Sequence, residues 1–171
     1  VSGYMVDLSG LIIQDGAGDA FTVPSGVYVY PESHFVFGRS QDLESNGGVD
    51  VDYAYGDGME LDDDADNISM IASGGDIVDS FTYDSASYTV TEGYSLTMDL
   101  EIIMDLEDML EGATVNDGSS NWCDALTEYG SGNYGTPGSY NDLCSGAGTD
   151  VDGDGFYDYG GLGYPSEDCD D

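Results

Sequence analysis

Short apolar, β-branched and aromatic stretches alternate with clusters of Gly, Pro, Asn, Asp and Ser along residues 6–98. Segments of about four to eight such residues between turn formers read as strands. The pattern predicts strands over 6–14 (VDLSGLIIQ), 21–23 (FTV), 27–30 (VYVY) and 35–37 (FVF). Turns at 15–19 (DGAGD), 24–26 (PSG) and 31–33 (PES) separate them. Residues 49–55 alternate strictly. Val49, Val51, Tyr53 and Tyr55 take one predicted face, and Asp50, Asp52 and Ala54 the other. Strands over 68–71, 76–83 and 94–98 continue the series, with Ser73-Gly74-Gly75-Asp76 as a hairpin turn. One stretch departs from this period. Leu100, Ile103, Leu106, Met109 and Leu110 fall near helical spacing, predicting a short helix over 104–111 with Gly112 as its cap. From Asn116 on, the chain is rich in Gly, Ser, Asn and Tyr and predicts loops. Many short strands with one helix predict an all-β sandwich.

Charge changes this picture. The 171 residues carry 36 Asp plus Glu against 1 Lys plus Arg, a net charge of -35. One cation cannot displace counterions from a phosphate backbone, so nucleic-acid binding is excluded. Docking on anionic lipid is disfavoured for the same reason. No apolar run approaches the ~20 residues of a membrane span. High charge is also a signature of disorder. Against that, 14 Tyr, 5 Phe and 40% hydrophobic residues provide a core, so the expectation is a folded domain with a self-repelling surface. Such a surface calls for cations, whether salt or divalent metal.

The cysteines are Cys123, Cys144 and Cys169, without the C-x-x-C pairs of a zinc site. Cys123 and Cys144 flank a segment with little core, and a disulfide between them is expected, in an oxidising, extracellular setting. Three free thiols are the alternative. Cys169 is left without a partner in this reading.

Several motifs occur in a set order: V-D-L-S-G at 6–10, P-S-G at 24–26, D-N-I-S-M-I at 66–71 and G-G-D-I-V-D-S-F-T-Y at 74–83. G-Y-S-L at 93–96, N-W-C at 121–123 and G-T-P-G-S-Y-N at 135–141 complete the set. Together they resemble the lamin tail domain, in the version found on bacterial surface and secreted proteins, over roughly residues 6–144. The resemblance implies an immunoglobulin-like β-sandwich used for adhesion, anchoring or assembly, with no catalytic residues. Two departures matter. Leu11 stands where the family has Trp, and the strands that precede V-D-L-S-G in the family have no counterpart in the five residues before Val6. A sandwich short of edge strands leaves unpaired N–H and C=O groups, a site for strand addition between chains. Residues 6–14 are expected to be the strand that lacks its partner.

A second motif lies in the C-terminal appendage, residues 147–171, set apart from the sandwich over 1–146. Asp150-Val151-Asp152-Gly153-Asp154-Gly155-Phe156-Tyr157-Asp158 has calcium-loop spacing. The carboxylates of Asp150, Asp152, Asp154 and Asp158 and the Phe156 carbonyl supply most of the six to eight oxygens Ca²⁺ takes. Gly161 occupies the position of the closing Glu of an EF-hand, so Asp168 or Asp171 is expected to close the shell. The segment resembles the Asp-rich metal-binding repeats of bacterial surface proteins and, more loosely, thrombospondin type 3 repeats.

Other signals are weaker. Asp62-Asp63-Asp64-Ala65-Asp66 reads as a solvated loop rather than a second cation site. Asn67-Ile68-Ser69 is a glycosylation sequon. His34 has no nucleophile or acid paired with it by motif, and Arg39 is expected in a structural ion pair. No enzyme is expected. The function expected is an extracellular, calcium-stabilised structural subunit that assembles with copies of itself into a surface filament or layer. The alternative is an adhesive or accessory module of a larger secreted protein.

Overall fold

The computed structural model describes residues 4–31, 33–89, 91–104, 113–130 and 132–145. The fold is mainly β. In chain order the strands are β1 (Val6–Asp7), β2 (Ile12–Asp15), β3 (Ala20–Thr22), β4 (Tyr28–Val29), β5 (Phe37–Gly38) and β6 (Tyr53–Ala54). They continue with β7 (Ala65–Ile71), β8 (Ile77–Asp84) and β9 (Leu96–Met98). The helix α1 (Leu100–Met104) precedes β10 (Trp122–Asp124), β11 (Glu128–Tyr129) and β12 (Asn133–Tyr134).

The largest sheet is antiparallel, in the order β3-β2-β7-β8. Its register sets Ile13 opposite both Phe21 and Met70, and Ile68 opposite Phe81. Paired residues share a face, so these side chains all point to one side of the sheet. Two smaller pairs cover that face. Phe37 of β5 lies 5.4 Å from Phe21, and Tyr55, just after β6, stacks on the same ring at 4.8 Å. Trp122 of β10, paired with Met98 of β9, lies 4.5 Å from Phe81. Ile13, Phe21, Val23 and Met59 form the buried core between them. The alternation over 49–55 survives as burial: Val51 is buried and Tyr53 and Tyr55 pack on the core, while Asp50 and Asp52 are exposed. Only Tyr53–Ala54 is strand, paired in parallel with β5.

The sequence reading of residues 6–14 as one strand without its partner is corrected. They form two strands, and both are paired within the chain: β1 with β4, and β2 with β3 on one side and β7 on the other. In V-D-L-S-G, Val6 and Asp7 are β1 and the chain turns at Ser9 and Gly10. The Asp7 carboxylate accepts the Ser9 N–H, the Leu11 N–H reaches the Leu8 carbonyl, and Gly10 sits at φ +80°. That left-handed conformation suits Gly and ends a strand. The helix also differs. It begins at Leu100, four residues before the predicted start, and residues 105–111 of the predicted span lie outside the described residues. The predicted 73–76 turn joins β7 to β8 through the Gly75 N–H to Ala72 carbonyl bond.

Candidate interaction surfaces

The motifs that carry the family resemblance meet in space as supports of the fold. The Ser9 hydroxyl of V-D-L-S-G accepts the Gly26 N–H of P-S-G. A Cβ on Gly10 would stand 3.0 Å from that of Ser73, at the β7–β8 turn. In the G-T-P-G segment, a Cβ on Gly135 would stand 2.7 Å from the Ser95 hydroxyl and 3.0 Å from the Tyr129 ring, so a larger residue there would have to displace those side chains. Asn141 donates from its side chain to the Met98 carbonyl. The next residue, Asp142, accepts the N–H groups of Leu126 and Thr127 and the Thr127 hydroxyl. Close by, Cys123 and Cys144 are bridged, with sulfurs 2.14 Å and Cα atoms 5.6 Å apart. These residues are occupied by structure, which leaves them no free chemistry.

The remaining sequence candidates fall as follows. Asp150, Asp152, Asp154, Phe156, Asp158, Asp168 and Asp171 lie outside the described residues, as do Cys169 and the whole 147–171 appendage. Asn67 sits inside β7, and its amide donates to the Phe81 carbonyl and the Thr82 hydroxyl across the sheet. His34 meets Tyr140 edge-on at 5.3 Å. Arg39 pairs with Asp57 at 2.9 Å, both side chains being largely exposed, so the pair contributes little.

Asp62, Asp63 and Asp64 form an exposed loop before β7, and Asp66, the second residue of β7, ties that loop down. The Asp66 carboxylate accepts N–H groups from Gly16, Asp62 and Asn67. Burial alone would raise its pKa, but these three bonds outweigh it and hold the carboxyl below its usual range. Among the described residues, no group of three or more His, Cys, Asp or Glu is arranged to hold a metal. Tyr83 donates its hydroxyl to the Asp62 carbonyl. Burial, then the charges of Asp66, Asp62 and Asp63, push its phenol up to about 12. The neutral phenol is the favoured form in the fold. Its contribution to stability is therefore present below the ordinary tyrosine value near 10 and lost as pH rises through about 12. Ultraviolet titration of the native chain and of Tyr83→Phe should differ by one tyrosinate centred near pH 12. A difference centred near 10 would contradict this environment.

Two of the surfaces left open among the described residues bear on interaction. The outer edge of β3 is unpaired as well, but β3 spans three residues against eight in β8. The first is the outer edge of β8, which no strand pairs with among the described residues. A bulge between Met70 and Ile71 makes Val78 the extra residue, and Ile77 and Val78 are exposed beside it. Beyond the bulge the ladder is regular. The Ser80 N–H donates to the Asp79 carboxylate, so alternation puts the N–H groups of Ser80 and Thr82 on the outer edge. The second is a groove of about 410 Å³ between the β7–β8 half of the sheet and the β9–β10 pair. Leu61, Ile68, Phe81, Leu96 and Trp122 line it. Among the described residues no helix is long and apolar enough to cross a membrane. No family model, no curated protein and no solved structure matches this chain.

Proposed function

We propose that the chain is an extracellular structural subunit, an immunoglobulin-like β-sandwich of the lamin-tail kind with a Ca²⁺ loop at 150–158. Copies join into a cell-surface filament or layer when a terminal segment of one adds as a strand to the outer edge of β8 in the next. The open β8 edge is the observation that carries this reading. An unpaired edge is a template for another strand, and a head-to-tail contact that does not close a ring propagates as a filament. The Asp79 carboxylate on the Ser80 N–H guards that edge, and the incoming strand displaces it. The intrachain bridge between Cys123 and Cys144 fits an oxidising compartment. No catalytic role is assigned.

Calcium enters as the partner of the Asp-rich loop. With Asp150, Asp152, Asp154, Asp158 and the Phe156 carbonyl as ligands, and Asp168 or Asp171 completing the shell, bound Ca²⁺ offsets part of the -35 charge that keeps copies apart. Calorimetry should show Ca²⁺ binding that Asp152→Ala weakens at least tenfold. Sedimentation should show large assemblies with Ca²⁺ and monomers with chelator. A monomer in both conditions would overturn the assembly, and unchanged affinity in Asp152→Ala would overturn the loop.

A further inference from the structure

The groove beside Trp122 does not end at its apolar walls. Leu61, Asp62, Asp63 and Tyr83 line it and also line an open basin of about 1000 Å³ on its far side. Glu60, Asp64 and Asp84 bring further carboxylates to that basin. The two adjoin along the four shared residues, an apolar groove beside an acidic basin. Leu61 stands out at their border, 38% exposed. An exposed apolar groove of this kind marks a docking site, and the acidic rim of the basin beside it sets the charge of what docks.

Charge selects the occupant. A second copy brings 36 acids and one Arg to a rim that is already acidic. The chain's own Asp105-Leu106-Glu107-Asp108-Met109-Leu110-Glu111 has suitable apolar residues, but its four carboxylates would face Asp62 and Asp63. No other stretch of the chain helps, because Arg39 is its one Lys or Arg. We propose that this groove and basin together bind an extended segment of a different protein, with Leu or Phe side chains in the Trp122 groove and Lys or Arg side chains on the acidic rim. Thr82 and Asp84 of β8 also line the basin, so this surface adjoins the β8 edge. The inference concerns side-chain docking on the dispersed chain and does not depend on assembly of copies.

Trp122 is the one Trp in the chain, so its emission reports the groove directly. The probe is the peptide acetyl-Lys-Leu-Lys-Phe-Lys-Leu-Lys-amide, titrated into the full chain with chelator at about 0.15 M salt, where distant charges are screened. The expected result is a saturable blue shift of Trp122 emission. The isocharged acetyl-Lys-Ser-Lys-Ser-Lys-Ser-Lys-amide should produce none. Leu61→Ser should weaken binding about tenfold, consistent with loss of one buried aliphatic side chain. Asp62→Asn with Asp63→Asn should weaken it and flatten its salt dependence. Both substitutions are at exposed positions, and unchanged thermal melting confirms that the fold is intact. Equal binding of the Lys-Ser peptide would overturn the proposal, leaving only attraction between opposite charges. A Trp122 emission that is already blue-shifted and unmoved by peptide would overturn it in favour of the chain's own 105–111 segment. A blue shift that grows with protein concentration alone would overturn it in favour of a second copy.

Discussion

Replacing Cys123 and Cys144 together by Ser is expected to lower the unfolding free energy by about 3 kcal/mol. The bridge closes a loop of 21 residues, and the chain-entropy model assigns about that much to a loop of this length. For a chain of this size the loss corresponds to a fall of about 6–12 °C in Tm. Little else holds the loop by burial. Within it, Ala125 and Leu143 are the buried apolar residues, and Leu143 packs on Leu100. Its other ties are mostly hydrogen bonds: the pairing of β10 with β9, backbone bonds from Ala125 and Tyr134 to residues 93–95, the Asn141 bond to the Met98 carbonyl and, inside the loop, the three bonds to Asp142, with the Tyr134 ring stacked on Tyr94. Thermal unfolding of the double variant, with thiol counting of the native chain, checks the claim. A loss below about 1 kcal/mol would mean that these hydrogen bonds hold the loop unaided.

Thr82→Pro is expected to abolish assembly in Ca²⁺ while leaving the monomer folded. Proline removes one N–H and fixes φ near the extended range, so a sheet tolerates it where that N–H faces outward. Thr82 meets this condition. It is two residues from Ser80, whose N–H is taken by the Asp79 carboxylate, and it lies in the regular part of the ladder. The variant gives up the bond from the Asn67 amide to the Thr82 hydroxyl, a modest cost, since the same amide also reaches the Phe81 carbonyl. Phe81→Pro is the contrasting case. The Phe81 N–H faces β7, and the ring packs on Trp122 and Tyr88, so that variant should not fold. Sedimentation with Ca²⁺ reads assembly, and circular dichroism reads folding. Assemblies of normal size from Thr82→Pro would count against the β8 edge.

The sequence shows its long, regular features most clearly. The face of Val51, Tyr53 and Tyr55, the 73–76 turn and the Cys123–Cys144 bridge follow from period, turn chemistry and spacing. The strands β10, β11 and β12 do not, because two or three residues cannot display a period of two within a Gly- and Ser-rich stretch. The break in residues 6–14 turned on Gly10, which sits inside an otherwise apolar run. Carboxylates that cap backbone were hidden by composition. Asp15 is buried and accepts the N–H groups of Gly18 and Asp19, yet among 36 acids nothing sets it apart except the D-G-A-G-D turn it opens. The groove was not legible at all. Leu61 and Trp122 are far apart in the chain, and only the packing of β7–β8 against β9–β10 makes them line one groove.

Backbone hydrogen exchange at Ser80 and Thr82, compared between chelator-dispersed chains and Ca²⁺ assemblies, tests the central claim most directly. A strand added at the β8 edge bonds the outward N–H groups, so the account predicts that Thr82 passes from rapid to strongly slowed exchange on assembly. Ser80, already held by the Asp79 carboxylate, should slow further. Assemblies in which both amides exchange as fast as in the dispersed chain would contradict the account.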